Sequence, residues 1–108
     1  MADNVTPSSG NVFEDIGLSN PKEAEAKARL AYIISMIIKH RGLTQEQAAQ
    51  RIGVDQPKIS NLVRGKLSGY SIERLLDFAL ALGNDVDIVV REHHNNGDTQ
   101  GQLTIAAV

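Results

Sequence analysis

Residues Leu43–Lys66, LTQEQAAQRIGVDQPKISNLVRGK, decide how this chain folds. Thr44 is a favourable N-cap for a first helix, and Gln47 stands three residues later at the capping-box position. Gly53 is placed to end that helix, because glycine readily adopts the left-handed conformation that follows a last helical turn. Asp55 is placed to cap a second helix, so we expect its carboxylate to be occupied in capping. The stretch therefore predicts two short helices joined by a tight turn.

The contact between these two helices also has a sequence pattern. Two helices joined by so short a turn must cross steeply, and small side chains are needed where they touch. Ala48 and Ala49 fit that contact, and four apolar residues should face the core: Ile52, Val54, Ile59 and Leu62. Residues 44–64 therefore predict a helix-turn-helix, a motif whose second helix enters the DNA major groove.

Length and composition indicate one ordinary globular domain. The chain has 108 residues, of which 42% are apolar and 22% charged. Four aromatic residues and no tryptophan argue against single-strand binding by base stacking. The absence of cysteine excludes disulfides and thiolate metal sites and fits the cytoplasm, where we expect the protein to act. No signal peptide is recognisable, and the longest apolar run, Leu30–Ile38, is too short for a membrane span.

Charge is distributed unevenly along the chain, although the net charge is only -2. Residues 39–69 carry a net charge of +4, whereas residues 1–38 carry -2 and residues 70–108 carry -4. Binding to phosphates depends on the local field, which salt screens within roughly 8–10 Å. A basic middle between acidic ends therefore permits DNA binding and leaves acidic surface for a basic protein partner.

The N-terminal half divides into a tail and a long helix. We expect residues 1–10 to be a disordered tail and the domain to span residues 11–91. An apolar stretch follows the tail and should either fold back on the core or dock on a partner; it contains Val12, Phe13, Ile16 and Leu18. Asn20 as N-cap opens a helix that should run to about His40. The second half of this helix is apolar on nearly all sides. The helix should therefore lie at the centre of the domain, or one of its faces should contact another chain.

The C-terminal half predicts one more helix and a strand. Ser71 should cap a helix that Gly83 closes, and residues 85–91 alternate as a strand with Val86, Ile88 and Val90 on one side. A lone strand needs a partner, either a hairpin with residues 103–108 or the same strand of a second copy, which we favour. Residues 92–108 form a loop and a weak second strand or a flexible tail. The expected fold is mainly α, a compact four-helix domain whose C-terminal strand pairs in a dimer.

The outward face of the second helix supplies the candidate DNA contacts. Side chains near the N-terminus of such a helix reach base edges, and amides pair well with adenine. The candidate base contacts are Gln56, Pro57, Lys58 and Asn61. The candidate backbone contacts are Gln45, Thr44, Ser60, Arg41, Arg64 and Lys66.

The ordered set of motifs resembles a known family. TQ at the first helix, GV at the turn, QPKISNL in the second helix and RGK after it resemble the Cro/lambda-repressor-like (XRE) family. NVFEDIGL upstream, together with YSIERLL and LGNDVDIVV downstream, resembles its HigA-type antitoxin branch, across residues 11–91. The resemblance implies a C-terminal strand that supports dimerisation, repression of the protein's own operon and neutralisation of a toxin that cleaves mRNA. It also implies that Gln45 binds a phosphate and braces the second helix.

The sequence gives little support to the hypothesis that the protein is an enzyme. His93, His94 and Asp98 suggest a metal, but adjacent histidines in a strand point to opposite faces, and a loop explains them better. No carboxylate pair, Ser/His/Asp set or phosphate loop is recognisable, so we expect no catalytic residues, metal or cofactor. Two functions remain: a dimeric transcriptional regulator that binds operator DNA alone, and an antitoxin that also binds a ribonuclease toxin. We favour the hypothesis that the protein is an antitoxin, and a stand-alone regulator is the alternative.

Overall fold

Four helices make up the described part of the chain, in agreement with the four-helix prediction. The structure, a computed structural model, describes residues 20–92 and 101–108. Helix α1 spans Asn20–His40, α2 spans Gln45–Ile52, α3 spans Gln56–Val63 and α4 spans Ile72–Ala81. Several sequence predictions lie outside the described residues: the tail 1–10, the apolar stretch with Val12, Phe13, Ile16 and Leu18, and the loop with His93, His94 and Asp98.

The helix ends lie close to where the sequence places them. Helix α1 already includes Asn20, one residue earlier than a cap at that position predicts, and it ends at His40 as expected. The hydroxyl of Ser71 accepts a hydrogen bond of 3.0 Å from the backbone N–H of Arg74, which confirms the predicted cap of α4. Gly83 follows α4 with a φ of 92°, a left-handed conformation that glycine adopts without strain.

An aliphatic core joins all four helices. Helix α1 packs against α4 and α3, while α2 packs against α3 and α4. The largest fully buried side chains come from α1, α3, α4 and the residue after α4: Ile34, Ile59, Leu62, Ile72, Leu75 and Leu82. Ala48 and Ala49 are the buried residues of α2, as expected for a helix that must approach its neighbour closely.

Helix α1 has two different apolar surfaces. Leu30 and Ile34 are buried in the core, whereas Tyr32 is 59% exposed and Met36 is 46% exposed. The sequence allows two explanations for its many apolar residues, a central position or a contact with another chain. The buried stripe establishes the central position, and the exposed residues form a separate surface. None of the described helices is long and apolar enough to cross a membrane.

The predicted C-terminal strand is not formed within the single chain. Residues 85–91 adopt no regular secondary structure, and residues 20–92 and 101–108 contain no strand at all. Val86 is half-buried, while Ile88 and Val90 are 71% and 92% exposed. A strand needs hydrogen-bonding partners, and no other segment within residues 20–92 and 101–108 pairs with this one. Pairing with a second copy stays a prediction.

Residues 101–108 lie against α1 without forming the second strand of a hairpin. Ile105 is half-buried and packs against the core, and its carbonyl oxygen accepts a hydrogen bond of 3.3 Å from Nε of Arg29. The other residues of this segment are exposed. One apolar side chain and one hydrogen bond therefore attach it to the helical domain.

Candidate nucleic-acid interface

The N-terminus of α2 is held by a complete capping box. The backbone N–H of Thr44 donates to Oε1 of Gln47 at 2.9 Å, and the backbone N–H of Gln47 donates to Oγ1 of Thr44 at 3.0 Å. At the other end, Gly53 has a φ of 88° and its N–H donates to the carbonyl of Ala49 at 2.8 Å. Both predicted ends of α2 are confirmed.

Helix α3 buries one side and presents the other to solvent. Ile59 and Leu62 are 0% and 1% exposed. On the outward side, Gln56, Pro57, Lys58 and Arg64 are exposed, while Ser60 and Asn61 are half-buried. The structure therefore brings the predicted base-contact residues together on one outward surface, at the start and middle of α3.

Asn61 and Arg64 are bonded to each other on this surface. Nη2 of Arg64 donates to Oδ1 of Asn61 at 3.1 Å. A two-pronged contact with adenine needs both the oxygen and the NH₂ group of an amide. Asn61 can offer such a contact only by releasing or sharing its bond with Arg64. Their three-residue spacing on a helix is a sequence signal that the two side chains meet.

Tyr70 is a structural contributor to this surface that sequence reasoning missed. Its hydroxyl donates to the backbone carbonyl of Lys58 at 2.6 Å, and the residue is only 7% exposed. Its ring packs edge-on against Phe78 with centroids 6.1 Å apart, and the guanidinium of Arg74 lies 5.7 Å from the same Phe78 ring. A buried tyrosine usually finds a partner for its hydroxyl, and this partner is the first turn of α3.

The predicted capping role of the Asp55 side chain is wrong. Asp55 occupies the N-cap position of α3 with an extended backbone, but its carboxylate makes no capping hydrogen bond. A capping side chain accepts from the N–H of the second or third helical residue. The second is Pro57, which has no N–H, and the N–H of the third, Lys58, donates to the backbone carbonyl of Asp55 at 3.0 Å. The carboxylate is therefore left exposed beside Gln56.

The candidate contacts to the DNA backbone differ in their exposure and in the hydrogen bonds that they make. Thr44 accepts from Gln47 through its hydroxyl oxygen and can still donate its O–H to a phosphate. Gln45 is half-buried in the first turn of α2, and Lys66 is exposed just after α3. Arg41 instead lies against the C-terminal end of α4, where its Nη2 donates to the carbonyl of Gly83 at 3.3 Å. A phosphate contact by Arg41 therefore requires this bond to be exchanged.

A concave surface, the groove beside α1, lies next to helix α1 and includes Arg41 in its lining. It has a volume of about 1110 Å³ and lies between α1, α4 and the segments 84–87 and 104–108. Tyr32, Ile33 and Met36 form part of its apolar lining, and its charged lining contains Asp85 and Asp87 as well as three arginines. Within the two described ranges, no group of three or more His, Cys, Asp or Glu residues is arranged to hold a metal ion.

Comparisons with known proteins agree with this geometry. A family model described as a helix-turn-helix domain matches residues 12–91. A solved structure that carries the name of an XRE-family transcriptional regulator is 37% identical in sequence, with a TM-score of 0.76. The alignment covers 83% of this chain and 100% of that one.

The chain belongs to the XRE helix-turn-helix family. In this XRE-family protein, α2 and α3 are the two helices of the motif and Gly53 lies in the turn between them. The comparison with curated proteins returns no match. The expected family is therefore confirmed, and the HigA-type branch stays a prediction.

Proposed function

We propose that the protein is a sequence-specific DNA-binding transcriptional regulator that binds its operator as a homodimer. The observation that carries the proposal is the outward surface of α3, where Gln56, Lys58 and Asn61 stand opposite a fully buried apolar side. In a helix-turn-helix protein the second helix enters the major groove with its N-terminal residues at base edges. Helix α3 is therefore the recognition helix of this proposal.

The exposed residues on the recognition helix and just after it each offer a defined kind of DNA contact. Gln56 offers both an acceptor and donors, which match the N6 and N7 edge of adenine. Pro57 offers only an apolar contact, such as one to a thymine methyl group, and Lys58 donates to guanine or a phosphate. Arg64 and Lys66 add cationic contacts that fix position and make affinity depend on salt. Two such helices in a dimer read two half-sites about one helical turn apart.

The test is the loss of sequence preference in a double variant of the recognition helix. We expect Gln56→Ala with Asn61→Ala to abolish operator-specific binding, because each paired amide contact gives about 1–3 kcal/mol of discrimination. The operator is first obtained by selecting randomised duplexes with purified protein, and affinity is then measured at fixed salt. Gln102→Ala, an exposed amide in the C-terminal segment, is the matched control. Unchanged operator affinity in the folded double variant would contradict the assigned surface.

A second candidate function, the antitoxin, is favoured by the groove beside α1. Its exposed apolar residues, Tyr32 and Met36, provide area for a protein partner. In this proposal the partner is a ribonuclease toxin that cleaves mRNA, and the pair represses its own operon. A gene for a small basic protein immediately beside this one, whose product binds the purified protein, supports the antitoxin. A gene without such a neighbour favours the stand-alone regulator.

A further inference from the structure

The carboxylate of Asp55 is exposed at the N-cap of the recognition helix. It stands directly before Gln56, at the end of α3 from which helix-turn-helix side chains reach base edges. Pro57 and the bond from the Lys58 N–H to the Asp55 carbonyl remove its usual capping partners. Within residues 20–92 and 101–108, no cationic side chain forms an ion pair with it. A negative charge is thus exposed at the proposed DNA surface without a structural task.

We infer that Asp55 is a specificity-determining residue that accepts a hydrogen bond from the amino group of a cytosine in the major groove. This inference rests on the proposed DNA-binding function. An ionised carboxylate can only accept hydrogen bonds, and cytosine presents its N4 amine as a donor on the major-groove edge. Adenine also has an amine there, but its N7 acceptor stands beside it and repels the second carboxylate oxygen.

Asp55 should also weaken binding to DNA sites that have another base at this position. Guanine presents O6 and N7, and thymine presents O4, so the carboxylate would meet acceptors at these bases. Binding to DNA removes water from the Asp55 carboxylate, and this desolvation is unfavourable unless a hydrogen-bond donor replaces the water. Every DNA site that lacks the cytosine is therefore bound more weakly. The same charge is repelled by phosphates, which weakens binding to random DNA. Asp55 therefore increases the ratio of operator binding to non-specific binding while it lowers affinity in general.

The experiment compares Asp55→Asn with Asp77→Asn in the full-length chain. Asparagine keeps the size of aspartate, removes the charge and adds a donor. Asp77 is an exposed acid on α4, so its variant makes the same change of net charge away from the recognition helix. Each protein selects sequences from the same randomised duplex pool, and its affinity for random duplex DNA is measured at one salt concentration. Thermal unfolding followed by circular dichroism verifies that both variants are folded.

We expect the natural protein and Asp77→Asn to prefer cytosine by about 5- to 150-fold at one position, the range that one good base contact gives. That position should be next to the one whose preference disappears in Gln56→Ala. Asp55→Asn should lose the cytosine preference and bind random DNA more tightly. An unchanged cytosine preference, or no cytosine next to the Gln56 position, overturns this inference alone. If the natural protein selects no sequence at all, the proposed function itself is overturned.

Discussion

The hydroxyl group of Tyr70 connects the loop before α4 to the first turn of α3. The bond from Tyr70 to the Lys58 carbonyl is short, at 2.6 Å, and it is partly buried. Lys58 lies between Pro57 and the buried Ile59, so the bond holds the turn that carries the proposed base contacts. Because a base contact depends on placement within fractions of an ångström, we assign Tyr70 the role of a positioning residue.

We expect Tyr70→Phe to reduce the free energy of unfolding by about 0.5–1.5 kcal/mol, the usual net contribution of one hydrogen bond. Operator affinity should fall more than affinity for random DNA, because a displaced helix loses base contacts but keeps its phosphate contacts. Denaturant unfolding and the ratio of the two affinities measure these effects. Tyr32→Phe removes an exposed hydroxyl and should change neither. An equal loss of both affinities in Tyr70→Phe would assign Tyr70 to stability alone.

At the residue scale, the sequence predicts which side chains face outward better than it predicts their hydrogen bonds. The outward position of Gln56 follows from the burial of Ile59 and Leu62, which helical spacing reveals. The bonds of Tyr70 and Arg41 join residues 12 and 42 positions apart, so no local pattern indicates them. The failed cap at Asp55 was predictable in principle, because Pro57 removes one of the two donors that a capping side chain uses.

Helix α2 shows how much short elements depend on their ends. It has eight residues, a length at which an isolated helix is marginal in water. Its capping box satisfies two backbone N–H groups that the helix itself cannot, and Gly53 ends it with a left-handed residue. These ends were predictable because caps are local in sequence, whereas the angle between α2 and α3 follows from packing around Ala48 and Ala49.

We expect Thr44→Ala to reduce the free energy of unfolding by about 1 kcal/mol, because the N–H of Gln47 loses its acceptor. Thr44→Ser retains the hydroxyl and should remain close to the natural protein. Thermal and denaturant unfolding of the three proteins give the comparison. If the serine variant is destabilised as much as the alanine variant, packing of the threonine methyl group, and not the cap, stabilises this end of α2.

At the scale of the whole molecule, the segment after α4 is unpaired within the part of the chain that the structure describes. Alternating apolar residues predict a strand at 85–91, yet the segment is irregular and Ile88, Val89 and Val90 are all more than 70% exposed. Periodicity describes which side chains share a face, but it does not supply the neighbour that a strand requires. The sequence therefore predicts the helical domain well, whereas the pairing of this segment stays a prediction.

We expect Ile88→Asp with Val90→Asp to convert a dimer into a monomer, because both side chains lie on the predicted pairing face with Val86. Sedimentation equilibrium over a dilution series measures the assembly, and operator affinity should fall with it, since a monomer reads one half-site. Val89→Asp places one such negative charge on the opposite face of the predicted strand and is the control for the position of the charge. Disruption by Val89→Asp alone would contradict the predicted register. A natural protein that is monomeric at every concentration would contradict the dimer.

The buried position of Tyr70 also gives the protein an intrinsic optical reporter. The chain contains no tryptophan and only two tyrosines, of which Tyr32 is exposed on α1. In a Tyr32→Phe background, all tyrosine absorbance and fluorescence comes from a ring in contact with both Phe78 and the backbone of α3. Changes in that signal on heating, or on mixing with duplex DNA, follow the junction between α3 and α4 without any attached dye. Local opening of the recognition helix can then be timed separately from unfolding of the whole domain.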